Sequence, residues 1–180
     1  PRSHENYIRS VLDLINQSDL KLIQNDQSKI FDNFVESFFP KNINEMILVK
    51  QSVIPGKDVI LPKNTPLFLQ ETVKMYNWIN NGEGTKLNIF VPKEKIEQYK
   101  NHGPYTDGVT AVAIYEEQNI VFVTEHIAGE PIYGAFDRAG NDISKTHISL
   151  EINKCYQCHE GYSDICKNGT CATPIIDIFK

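Results

Sequence analysis

The residues whose types and spacing can do chemistry lie together near the C-terminus, in Cys155-Tyr156-Gln157-Cys158-His159. C-x-x-C-H is the attachment sequence of c-type haem. The spacing has a mechanism: residues i and i+3 share a face of a helical turn, so Cys155 and Cys158 can each form a thioether to a haem vinyl group while His159 turns its imidazole to the iron. All four cysteines fall between residues 155 and 171, and none precedes them. The second pair, Cys166 and Cys171, brackets Lys-Asn-Gly-Thr, where Asn168-Gly169 offers the turn that brings two sulfurs together; a structural disulfide is expected.

Other arrangements of the same residues compete. Four thiolates, from Cys155, Cys158, Cys166 and Cys171, suit tetrahedral zinc. Two disulfides with no cofactor would also use all four. A redox-active C-x-x-C would follow a strand in a βαβ unit, a context this motif lacks. Haem on the first pair and a disulfide in the second together imply an oxidising compartment, either a periplasm or the cell exterior.

His159 is the proximal iron ligand in the haem reading, and the far side decides between electron transfer and small-molecule binding. His126 and His147 are the candidate distal ligands, with His102, Met46 and Met75 behind them. If none reaches the iron, Phe68, Phe90, Phe122 and Phe136 are available to pack over an open face that admits only a diatomic or similarly small molecule. Glu125 or His126 is the candidate general base should the iron carry out catalysis.

The elements that position these residues follow from periodicity. Apolar residues recur at helical spacing over residues 6–24, and a second amphipathic helix runs from Gln27 to Phe38 before Pro40. β-rich runs follow at Glu45 to Lys50, Lys57 to Leu61, Pro66 to Met75 and Thr85 to Val91, with a possible hairpin at Asn81-Gly82. Pro92 opens a short helix to Lys100 whose charges are expected to face water. Val109 to Tyr115, Ile120 to His126 and Pro131 to Phe136 read as a meander, and Asp137 to Asn141 as a turn. The fold class is α+β in a single domain over residues 1–180: a helical region (1–40), an antiparallel sheet (45–145) and a haem-attachment turn or helix (150–180).

Composition narrows the function classes. A net charge of −5 argues against a nucleic-acid partner, which would be bound largely through Lys and Arg. No run approaches the length of a membrane span. The chain begins at Pro1, which is taken as the mark of a processed or excised segment.

The motif near the end of a β-rich chain, preceded by Tyr133-Gly134-Ala135-Phe136-Asp137-Arg138-Ala139-Gly140-Asn141, resembles the β-sheet cytochromes c-prime and the cytochromes P-460. The resemblance spans about residues 45–180 and is strongest from 109 onward. It implies one covalently bound haem with His159 proximal, binding nitric oxide or oxidising hydroxylamine, and a last short strand at Ile175 to Phe179. The oxidising branch carries a haem–lysine crosslink from a mid-chain strand, for which Lys74 is the nearest candidate, although that position falls nearer Leu69. The family's Gly-Gly-Trp ahead of the turn is absent, and Cys166/Cys171 is extra to its pattern. A looser similarity links the chain to periplasmic haem-bearing PAS-like sensor domains. The expected roles are an exported monohaem cytochrome working with a redox partner protein or a small diatomic ligand, a sensor domain of a larger receptor, or an enzyme oxidising hydroxylamine or peroxide.

Overall fold

The computed structural model describes residues 35–173, with Phe68 described by its backbone alone. The helix expected over residues 6–24, most of the one from Gln27 to Phe38, and the strand at Ile175 to Phe179 lie outside these residues. Residues 35–38 are described and are not helical. Glu36 bridges to Tyr133, and the Ser37 amide donates to the Tyr133 carbonyl at 2.9 Å. This short extended piece occupies the outer edge of the sheet, so the sheet supplies its backbone partners in place of a helical turn.

Five antiparallel strands form the sheet: β1 (Ile47–Ile54), β2 (Thr85–Val91), β3 (Gly108–Tyr115), β4 (Ile120–Ile127) and β5 (Glu130–Phe136). They lie side by side in chain order. Together with three helices, α1 (Leu67–Met75), α2 (Ile96–Lys100) and α3 (Ile152–Gly161), they make an α+β architecture. The meander expected over β3, β4 and β5 is present because period-2 alternation and short polar turns define each strand and its register.

Four expectations are corrected. The run Pro66 to Met75 is helix α1, not a strand: Leu69, Thr72 and Val73 are buried at i, i+3 and i+4, a helical stripe hidden in β-branched residues. The run Lys57 to Leu61 forms turn and coil. Asn81-Gly82 therefore joins no hairpin; Asn80 and Asn81 take positive φ as the chain leaves the helical segment, and β2 pairs with β1 instead. Finally, Lys95 does not face water. Its side chain is buried, and Nζ donates to the Thr106 carbonyl and hydroxyl and to the Asp107 carbonyl, at 2.8 Å for the last.

The two sheet faces have different partners. Met46, Val112, Ile114, Val121, Val123 and Phe136 pack on one. On the other, Leu87, Ile89 and Ala111 join Ile54, Ile79 and Leu150, and here the sheet is overlaid by α1, the Tyr76–Ile79 segment and α3. Ala111 and Ala113 end at Cβ, which leaves the floor of this second face low in the middle.

Candidate functional site

A cleft open to solvent lies over that low floor. β2, β3, β4 and β5 form the floor; Thr72, Met75, Tyr76 and Trp78 form one wall; Cys155, Cys158 and His159 form the other. The C-x-x-C-H residues thus line one mostly apolar cavity.

Helix α3 brings them there by burying Ile152 and Tyr156, i and i+4, against β5, with the Tyr156 and Tyr133 rings meeting edge to face at 4.8 Å. This anchored stripe sets the rotation of the helix. Cys155 and Cys158 are not bonded to each other, and burial is the main force pushing their thiols up, to about 12 and about 11. Both thiols are therefore held in the neutral form. Cys166 and Cys171 are joined in a disulfide, with Cα atoms 3.9 Å apart. That bond removes two thiolates from the four-sulfur zinc arrangement, and the free pair departs from the two-disulfide one. His159, Cys166 and Cys171 are the one cluster of metal-type ligands among the described residues, and two of its three sulfur and nitrogen atoms are spent on each other.

His159 is held in one tautomer. Its Nδ1 lies 2.8 Å from the Gly169 carbonyl, so Nδ1 carries the proton and donates, leaving the lone pair on Nε2. Burial lowers the basicity of the ring, partly opposed by that hydrogen bond. Tyr133 supports it from below, ring centres 4.5 Å apart, and also donates its hydroxyl to the Gly169 carbonyl at 2.7 Å. A carbonyl orienting a histidine from behind is the usual outer shell of a metal-ligating imidazole.

The carbonyl itself is fixed by the disulfide loop. Asn168 and Gly169 both take positive φ, at 50° and 74°. A Cβ on Gly169 would fall 2.4 Å from Pro131 Cγ and 2.9 Å from the Tyr133 hydroxyl, so only glycine fits. The Asn168 side chain donates to the His102 carbonyl at 2.7 Å, and its own carbonyl accepts from His126 Nε2 at 2.8 Å.

No protein-family model, curated protein or solved structure matches this chain.

The expected sixth ligands stand in different surroundings. His126 is fully buried with both ring nitrogens engaged: Nε2–H donates to Asn168, and Nδ1 accepts from Thr110, whose hydroxyl is 2.6 Å away across a bulge in β3. It offers no free atom to an iron and none to abstract a proton. His147 caps a short turn, Nδ1 accepting from the Ser149 amide, and stacks on Trp78 at 4.2 Å, outside the cleft lining. His102 sits in the loop whose carbonyl receives Asn168. Met46, Phe90 and Phe136 belong to the opposite sheet face, while Met75 and Phe122 do line the cleft. The side chain of Phe68 lies outside the described residues. Glu125 stands on the strand between Thr124, which lines the cleft, and buried His126, does not itself line the cleft, and has Oε2 buried without a partner among the described residues.

The lysine position is also corrected. Lys74 lies on the solvent side of α1 in an exposed ion pair with Glu71 at 2.9 Å, and Leu69 packs against Cys166 and Cys158. Two residues that sequence reasoning missed are Tyr76 and Tyr115. Both line the cleft. Nothing in their spacing marks them, since register and a helix end bring them there.

Proposed function

We propose that this chain carries one covalently attached haem in the cleft, tethered by Cys155 and Cys158 and ligated by His159 Nε2, and that it binds a small ligand on the opposite side. The observation that carries the reading is the His159 arrangement: an imidazole whose Nδ1–H is committed to a backbone carbonyl, in the same cavity wall as two free cysteines one helical turn apart. The haem would supply an iron with an open coordination position and one-electron redox chemistry. The residues present fit such a group by the apolar floor and by the donor set.

The chain's own contribution is orientation and exclusion. The Gly169 carbonyl aims the imidazole and raises its electron donation. Apolar side chains, with Ile89, Phe122 and Trp78 among them, keep the cavity poor in water. Among the described residues no histidine other than His159 lines the cleft, which favours ligand binding over bis-histidine electron transfer. Met75 lines the cleft and favours a second reading, a methionine-ligated electron carrier. The disulfide supports an exported protein in an oxidising compartment. The likeness to the β-sheet cytochromes c-prime is carried forward on the same terms, without the lysine crosslink. Absorption spectra of the purified protein, ferric and ferrous, with and without carbon monoxide, test the reading. A high-spin spectrum that shifts with carbon monoxide is expected. A low-spin spectrum indifferent to it would favour the methionine-ligated carrier, and no haem absorption would end both readings.

A further inference from the structure

Two buried histidines grip consecutive carbonyls of one loop. His126 Nε2 donates to the Asn168 carbonyl at 2.8 Å, and His159 Nδ1 donates to the Gly169 carbonyl, also at 2.8 Å. The peptide groups carrying those oxygens are joined through the Cα of Gly169, whose φ is +74°. Glycine restrains neither of its dihedrals, so the direction of the second carbonyl depends on what holds the groups around it. The Cys166–Cys171 disulfide ties the ends of the loop. Side chains hold its middle. Asn168 Nδ2 donates to the His102 carbonyl at 2.7 Å, an approach that a Cβ on Gly103 would obstruct from 2.5 Å, and His126 holds the Asn168 carbonyl from the sheet.

His126 can hold that oxygen in one tautomer only. A carbonyl accepts, so Nε2 carries the proton, and in the neutral ring Nδ1 keeps its lone pair. Burial is the largest influence on the ring and lowers its pKa from 6.5, which keeps it neutral at neutral pH. Thr110 supplies the donor that Nδ1 then requires, its hydroxyl standing 2.6 Å away. Thr110 is fully buried, and it is the residue that the bulge in β3 leaves out of register: Val109 pairs with Glu125 and Ala111 with Thr124. A bulge of this kind re-aims a side chain. Neither Thr110 nor His126 lines the cleft, so the hydrogen bonds connect them to it through the loop.

We propose that Thr110 and His126 are positioning residues for His159: through Asn168 they fix the peptide ahead of Gly169, and so aim the carbonyl that keeps His159 in its Nδ1–H tautomer with the Nε2 lone pair free. The tautomer belongs to the haem-free chain as well, while the consequence at an iron rests on the haem reading. There, a weaker bond from Nδ1 to the carbonyl lowers the electron donation of the imidazole and weakens the iron–histidine bond.

The test compares wild type with Thr110→Val, which removes the hydroxyl and keeps the branched shape, and with Thr110→Ser, which keeps the hydroxyl. Nitrogen NMR of the haem-free protein should show His159 protonated at Nδ1 in wild type and in Thr110→Ser, and a mixture of tautomers in Thr110→Val. In the ferrous haem-loaded protein, resonance Raman should show the iron–histidine stretching band at lower frequency in Thr110→Val than in the other two. A purely structural role would lower stability in urea and leave both signatures unmoved. His126→Phe keeps a ring beside Tyr105 and removes the donor; it should repeat the Thr110→Val result, and it carries the test if that variant does not fold. The same His159 tautomer in every variant, or an equal change in the serine and valine variants, overturns the inference whatever the haem result. A shifted tautomer with an unmoved band overturns its extension to the iron. The expected tautomer shift in a chain that takes up no haem supports the positioning role and overturns the haem reading alone.

Discussion

Replacing Gly169 with alanine tests the positioning of His159 without touching a cysteine or the imidazole. The added Cβ would sit 2.4 Å from Pro131 Cγ and 2.6 Å from Pro131 Cβ, both on a strand. The φ of +74° adds a left-handed cost of about 1–2 kcal/mol for a residue with Cβ. The loop must then shift, and its carbonyl leaves both His159 and Tyr133, forfeiting two hydrogen bonds of about 0.5–1.5 kcal/mol each. The sum is about 2–5 kcal/mol of destabilisation, read by urea unfolding of wild type and variant under the same conditions. A second readout separates positioning from stability: nitrogen NMR of the haem-free protein should show His159 protonated at Nδ1 in wild type and a mixed tautomer in the variant. A loss below about 0.5 kcal/mol with the His159 tautomer unchanged would refute the argument that this glycine holds the ligand geometry.

Four further outcomes follow from the same network. Tyr133→Phe removes one of the two donors to the Gly169 carbonyl and should cost about 0.5–1.5 kcal/mol by urea unfolding, with haem attachment retained. Burial is the largest influence on His126 and lowers its pKa from 6.5, with its bond to Asn168 opposing, so the unfolded chain binds more protons than the folded one below that value. Stability is then full above about pH 7 and falls as the pH drops through 6.5 toward the folded value, at no more than about 1.4 kcal/mol per unit for this group; His126→Gln should flatten that slope in unfolding measured from pH 8 to 5. Lys95→Met leaves the Thr106 and Asp107 acceptors unmatched in a buried site and should lower stability by about 1–3 kcal/mol in the same assay. Cys166→Ser with Cys171→Ser opens the loop and should raise susceptibility to proteolysis between residues 166 and 171 without touching Cys155 or Cys158.

Much of the sheet was legible because β3, β4 and β5 combine alternation with turns such as Asp137 to Asn141, where the Asp137 carboxylate accepts from the Asn141 amide at 2.9 Å. Helix α1 was not, because Thr72 and Val73 carry strand-forming side chains on what proves to be its buried stripe. Lys95 was misread for a related reason: a lysine among charges looks solvated until a following loop folds its carbonyls around the amine. The attachment motif and the disulfide pair stood out through local spacing, which survives without knowledge of the fold. His126 drew attention as an apolar-strand histidine, yet its two ring nitrogens answer to Thr110 and Asn168, partners set by a bulge and by a loop forty-two residues away. The cleft positions of Tyr76 and Tyr115 were not legible, since the end of α1 and the register of β3 bring them there.

The claim that Cys155 and Cys158 tether a haem is tested most directly by intact-mass analysis under denaturing conditions, after expression with c-type haem attachment machinery. The account predicts a mass increased by one haem that survives unfolding and acid extraction, and that is lost when both cysteines are replaced by alanine. A wild-type mass equal to that of the bare polypeptide, under conditions in which a control cytochrome c is loaded, would contradict it.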